Sequence, residues 1–242
     1  RMGDYRMISI QWFPPDWGFG NRIMYYNNLR QRAELDSTSW SCSSWNGCEY
    51  FSGDMLGSEQ QGNLSLKPCL GERFFEWNST STRSIFELKE KPKLEPESVA
   101  IHFRGTDFFG WNPDAVLGED YYMNALSEIE NDVQSFYIFT DDETLLSYKT
   151  VVEYLKQNNR KVIFGENTSN RNNYIKDFST ISECDYIISS PSTYCIAAGF
   201  IGKDKKIIHS ENWIHNRVDA DDKFWVDLNN GGNSDYSIWR LI

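Results

Sequence analysis

The sequence predicts an α/β protein built on parallel sheets. Short, almost continuously apolar runs recur between residues 98 and 209, helix-period stretches lie between them, and a similar strand–turn–helix unit stands near the start. Apolar runs of this kind suit strands buried on both faces. Their alternation with helices suits parallel pairing through crossover connections.

In chain order, Met7–Phe13 reads as a strand and Asp16–Asn21 as a turn. Arg22–Leu35 reads as a helix with Ile23, Tyr26 and Leu29 on one face. The next ~60 residues are rich in Ser, Gly and Trp, and we expect loops with a few short strands there. KEKPKLEPES, with Pro92 and Pro96 among alternating charges, reads as a linker. It divides a small, irregular domain over 1–97 from a periodic one over 98–242. In the second domain the predicted strands are Ser98–Phe103, Ser135–Phe139, Lys161–Phe164, Asp185–Ile188 and Lys206–His209. The predicted helices are Tyr121–Glu130 (Tyr122, Ala125, Leu126 and Ile129 inward), Leu145–Leu155, Ile175–Glu183 and Tyr194–Phe200.

Composition narrows the function classes. With 242 residues and 40% apolar content the chain can bury a real core, which excludes a disordered or collagen-like chain. The formal charge of −11 argues against non-specific nucleic-acid partners and anionic membranes. No run approaches the ~18 apolar residues of a membrane span. The opening RMGDYRM has no signal-peptide pattern and resembles the edge of a longer chain. The odd set Cys42, Cys48, Cys69, Cys184 and Cys195 lacks a C-x-x-C pair, so no zinc site is expected. Cys184 and Cys195 read as packing residues, whereas a disulfide among the other three is an open alternative. Asn63, Asn78 and Asn167 begin N-x-S/T triplets. An odd cysteine count without an anchor favours a cytoplasmic enzyme, and a trimmed Golgi-lumen domain is the alternative.

Ligands of open parallel sheets bind beyond the carboxyl ends of the strands. The polar residues predicted there are His102-Phe103-Arg104-Gly105-Thr106-Asp107, Thr140-Asp141-Asp142 and Ser189-Ser190-Pro191-Ser192-Thr193, joined by Gly18-Phe19-Gly20-Asn21-Arg22 from the first unit. Arg104 offers a planar fork for a diphosphate. Ser192 and Thr193 open a helix whose free N–H groups attract phosphate, or they serve only as its cap. Gly18 and Gly20 admit a close backbone approach, or merely make a turn. Asp177, placed at a helix start, suits the N1–H and N2–H edge of guanine, or it caps the helix or faces solvent. Asp107 is a candidate base or a partner that orients Arg104. His102 reads equally as a satisfied, partly buried histidine, and His209 and His215 receive no role. Asp141-Asp142 reads as a capping pair. A divalent-metal reading is weaker, because adjacent side chains diverge. Trp12, Trp17, Trp40, Trp45, Trp77 and Trp111 offer a sugar platform or, more simply, packing.

These blocks together resemble a known superfamily. HFRGTD at 102–107 resembles the H-x-R-x-x-D motif of α1,2- and α1,6-fucosyltransferases and protein O-fucosyltransferases, and GFGN at 18–21 resembles their Gly-rich N-terminal loop. GEDYYMNAL followed by YIFTDDETL is similar to the bacterial α1,2 pattern, and DFSTISECDYIISSPSTY at 177–194 is similar to the third block. The order is right, and residues 36–97 match nothing. The resemblance implies a GT-B-like fold of two Rossmann-like domains. It also implies an inverting, metal-independent glycosyltransferase that moves fucose from GDP-fucose to a glycan hydroxyl, with no cofactor. Arg104 would hold the diphosphate, Asp177 and His102 would recognise guanine, Ser192 and Thr193 would bind phosphate, and Ser190 would belong to the same donor site. Asp141 and the segment Gly18, Phe19, Gly20, Asn21 and Arg22 would complete the donor site. Asp107, then Asp114, would act as base. The chain departs from the pattern at Gly105, where a second Arg is common. Another GDP- or UDP-sugar, or a non-catalytic carbohydrate-binding module, are the alternatives.

Overall fold

A computed structural model describes residues 7–58, 64–65, 84–166, 174–202, 206–210 and 239–241. Asn63, Asn78, Asn167, Cys69, Trp77 and His215 lie outside the described residues. The chain forms an α/β structure with parallel sheets, in two compact units that divide between Glu90 and Lys91.

In the first unit, β1 (Met7–Ile10) pairs in parallel with β2 (Ser39–Cys42) on one side and β3 (Leu64–Ser65) on the other. The helix α1 (Phe19–Leu35) connects β1 to β2 and buries Ile23, Tyr26 and Leu29, the face predicted from spacing. It begins at Phe19 rather than at Arg22. The predicted turn Asp16–Asn21 therefore ends at Gly18, and Phe19, Gly20 and Asn21 open the helix. The Phe19 ring stacks on Phe51 at 6.0 Å and packs near Trp45 and Tyr50. That burial outweighs the ~1 kcal/mol that Gly20 costs inside a helix. A one-turn helix, α2 (Gly47–Tyr50), follows β2. The tryptophans mostly pack: Trp45 is buried, Trp17 meets Tyr25 edge-on, and Arg30 lies 4.1 Å over Trp40. Trp12 is exposed.

The second unit is a six-stranded, all-parallel sheet. Its strands are β4 (Ser98–Phe103), β5 (Ser135–Thr140), β6 (Lys161–Phe164), β7 (Tyr186–Ile188), β8 (Lys206–His209) and β9 (Trp239–Leu241). The intervening helices are α3 (Phe108–Trp111), α4 (Glu119–Ile129), α5 (Leu146–Gln157), α6 (Tyr174–Glu183) and α7 (Thr193–Ile201). The spatial order is β6-β5-β4-β7-β8-β9. The chain winds outward from β4 through β5 to β6, then restarts beside β4 and winds the other way. This is the strand order of Rossmann-like sheets, and its switch point falls between β4 and β7.

Burial follows from this order. Every residue of the central strands β4 and β5 is buried, whereas β6, expected to be covered on both faces, is an edge strand with Phe164 exposed. Val99, Ile101, Phe103, Phe136 and Ile138 form a core with Tyr122, Ala125, Leu126 and Ile129 of α4 and Val151 and Leu155 of α5. At the amino end of the switch point, Asp185 Oδ2 accepts from Ser98 N at 2.9 Å and Ser98 Oγ at 3.1 Å, which locks β4 to β7. Cys42, Cys48, Cys184 and Cys195 form no disulfide, and burial pushes the Cys195 thiol up to about 12, which suits a packing residue. No helix among the described residues is long and apolar enough to cross a membrane.

Candidate functional site

Because all six strands of the second unit are parallel, their carboxyl ends share one edge. The last pairings are Phe103↔Thr140 between β4 and β5 and Ile101↔Ile188 between β4 and β7. Beyond them the chain supplies His102-Phe103-Arg104, Asp141 and Ser189-Ser190 to that edge.

His102 is buried, with Nδ1 2.7 Å from Ser190 Oγ across the switch point. Burial, and secondarily the Arg104 cation, pull its pKa down to about 3, so the ring is neutral at physiological pH. The satisfied-histidine reading therefore describes it, and only part of the ring is left for a ligand. Ser192 is the N-cap of α7, accepting from Tyr194 N at 3.3 Å, and Thr193 is the first helical residue. The sequence placed α7 correctly, so its free N–H groups stand at the carboxyl end of β7.

Asp177 lies in the first turn of α6 and is buried, which excludes the solvent-facing reading. Its Oδ1 accepts from Glu166 N at 2.9 Å, so it holds the turn after β6 instead of capping its helix. Burial raises its pKa, and the Glu166 charge adds to this against the lowering effect of the hydrogen bond. One oxygen of the proposed guanine acceptor is thus partly committed. Gly165 is needed here, because a Cβ would stand 2.6 Å from Phe139 Cδ1 and 2.8 Å from Asp177 Oδ1.

Arg104 is not a free cation. Its Nη2 donates to Asp107 Oδ1 at 2.7 Å and its Nη1 to Asp141 Oδ2 at 2.8 Å. Its Nε is buried without a hydrogen-bond partner, and the guanidinium lies 5.2 Å from the Phe108 ring centroid. Asp107 is 65% exposed and Asp141 only 12%. Asp141 Oδ1 also accepts from Gly105 N at 2.8 Å, and its Oδ2 accepts from Thr106 Oγ1 at 2.5 Å. Asp142 turns the other way and accepts from Thr144 N at 2.9 Å and Thr144 Oγ1 at 2.5 Å. The capping expectation for this pair fails: α5 starts at Leu146, and its N-cap residue is Leu145, without a side-chain bond. The two carboxylates diverge, and among the described residues no group of three His, Cys, Asp or Glu is assembled for a metal. Asp114 is exposed in a one-turn 3-10 helix, Pro113–Ala115.

Two tyrosines of α4 hold the site, and sequence reasoning gave them no role there. Tyr121 Oη donates to Ser189 O at 2.8 Å and lies 3.1 Å from Ile208 O, whereas Tyr122 Oη donates to His102 O at 3.0 Å. Tyr121 sits beside the apolar stripe that Tyr122 belongs to, and an aromatic there was the available signal.

The Gly18–Arg22 residues belong to the first unit. Within the protein, a Cβ at Gly18 would meet nothing within 4 Å, so no neighbouring element requires that glycine. Arg22 is engaged within its own unit, donating from Nε to Trp17 O at 3.0 Å and from Nη1 to Asn46 Oδ1 at 2.7 Å. Asn21 Oδ1 is buried without a hydrogen-bond partner. No protein-family model and no curated protein matches this chain.

Proposed function

We propose that the chain is a glycosyltransferase that takes its sugar from a nucleoside-diphosphate donor held at the β4/β7 switch point. The carrying observation is the meeting, at one sheet edge, of Arg104, the His102–Ser190 pair and the α7 N-terminus. GDP-fucose is the donor this reading favours, on the strength of the H-x-R-x-x-D resemblance and the buried Asp177 carboxylate. The reading treats the protein as GT-B-like with two Rossmann-like domains.

The chemistry follows from charge. As the sugar C1–O bond breaks, both electrons leave with the diphosphate. Arg104 and the N–H groups of α7 stabilise that charge. The acceptor hydroxyl attacks C1 from the opposite face, which inverts the anomeric centre, and its proton passes to a carboxylate. If Arg104 turns Nη2 from Asp107 to the diphosphate, the exposed Asp107 is free to take the proton. The test is incubation with GDP-β-L-fucose and a panel of glycans in EDTA. GDP release together with an α-fucoside in the anomeric NMR region supports the reading. Binding of glycan with no turnover of any nucleotide sugar would favour a carbohydrate-binding module.

A further inference from the structure

We infer that Asp141 is a positioning residue that sets Arg104 for the diphosphate, and is not itself a donor or metal ligand. This deepens the proposed function and rests on its placing of a diphosphate at Arg104. The carboxylate stands one residue past β5 and reaches across to the neighbouring strand's outgoing turn, 104–106. There it takes three donors: Gly105 N at 2.8 Å, Thr106 Oγ1 at 2.5 Å and Arg104 Nη1 at 2.8 Å. Both oxygens are used, and the side chain is 12% exposed, so little of it faces a ligand. Asp107 differs on both counts: it is 65% exposed, and its Oδ1 accepts from Arg104, with Thr106 Oγ1, whose proton goes to Asp141, 3.2 Å away. When a diphosphate arrives, the solvent-exposed Asp107 contact gives way and the less exposed Asp141 contact stays. One guanidinium nitrogen is thereby fixed while Nη2 is freed for a phosphate oxygen. Gly105 fits this arrangement, because a Cβ there would stand 3.0 Å from Asp142 Cβ and 3.1 Å from Leu145 Cδ2. Any side chain at Gly105 would make Asp142 or Leu145 give way by a few tenths of an ångström.

The test is a double-mutant cycle on nucleoside-diphosphate affinity by calorimetry. GDP is the probe, or UDP if the wild-type chain takes that instead. Asp141→Asn is expected to weaken binding about tenfold to a hundredfold, because a buried charge-assisted contact is lost. In an Arg104→Ala background the same change is expected to have no further effect. A double variant weaker than Arg104→Ala by the full single-variant factor would overturn the inference, as would wild-type affinity in Asp141→Asn. If Asp141→Asn fails to fold, Thr106→Val removes one of the three Asp141 bonds and enters the same cycle with a smaller expected loss. Unchanged affinity in that variant counts against the inference. A wild-type chain that binds neither diphosphate, or that binds equally well as Arg104→Ala, overturns the donor reading and this inference with it. The other contrary outcomes overturn the inference alone.

Discussion

His102 Nδ1 and Ser190 Oγ stand 2.7 Å apart, just past the point where the β4–β7 ladder ends at Ile101↔Ile188. The backbones part there, and the side-chain contact closes the gap. The switch point therefore carries a buried polar pair flanked by Tyr194, whose ring centroid lies 5.8 Å from that of His102. Ser190→Ala is expected to cost about 1–3 kcal/mol, since it leaves the imidazole nitrogen without its partner. Urea unfolding at pH 7 measures it.

The same histidine makes stability depend on pH. Its folded-state pKa of about 3 lies below the ordinary 6.5, and burial holds His209 at about 4. Unfolding in the window between these values and 6.5 takes up protons. The stabilisation is complete above 6.5 and is lost as pH falls towards the folded values. The raised Asp177 pKa acts in the opposite sense above 3.8 and offsets part of the effect. His102→Gln is expected to reduce proton uptake on unfolding at pH 5 by about one, which flattens the stability slope by about 1.4 kcal/mol per pH unit. Unfolding titrations at several pH values read this directly.

Gly165 should tolerate no side chain. The Cβ of Gly165→Ala would force Phe139 or Asp177 to move, and the Glu166–Asp177 bond lies in the way. A cost of about 1–3 kcal/mol is expected from overpacking, together with weaker GDP binding. Thermal unfolding and calorimetry on the same sample measure the two effects.

Tyr121→Phe removes a hydroxyl that reaches the carbonyls at the ends of both β7 and β8. A loss of about 1–2 kcal/mol is expected. Faster amide exchange is expected at Ser190 than in the middle of β5, because the tether acts on the crevice side of the sheet. Hydrogen-exchange mass spectrometry distinguishes this from a uniform loss of stability.

Most strands and helices of the second unit were legible from apolar runs and helix spacing: the α4 residues Tyr122, Ala125, Leu126 and Ile129 point inward as spacing requires. The one-turn helix α3 (Phe108–Trp111) and the strand β9 (Trp239–Leu241), which lies outside any continuous apolar run, were not foreseen. At the site, residue types were legible and partners were not. Arg104 was recognisable as a fixed cation, but nothing in local sequence says that Asp141, 37 positions on, takes one of its nitrogens. Asp141 looked like a cap because the chain turns into a helix soon after it. The stronger donors come from a neighbouring strand end, and parallel pairing of β4 with β5 brings them there. The GFGN segment misled for a related reason: glycines suggest a loop, but the burial of Phe19 commits the segment to helix.

The most direct test is a calorimetric panel of GDP, UDP, ADP and CMP, each in EDTA. GDP is predicted to bind, with no loss of affinity on metal removal and with a loss of about tenfold or more in Arg104→Ala. Binding of UDP in place of GDP would contradict the fucose assignment and keep the transferase reading. Absence of binding by any of the four would contradict the nucleotide site at the β4/β7 switch point.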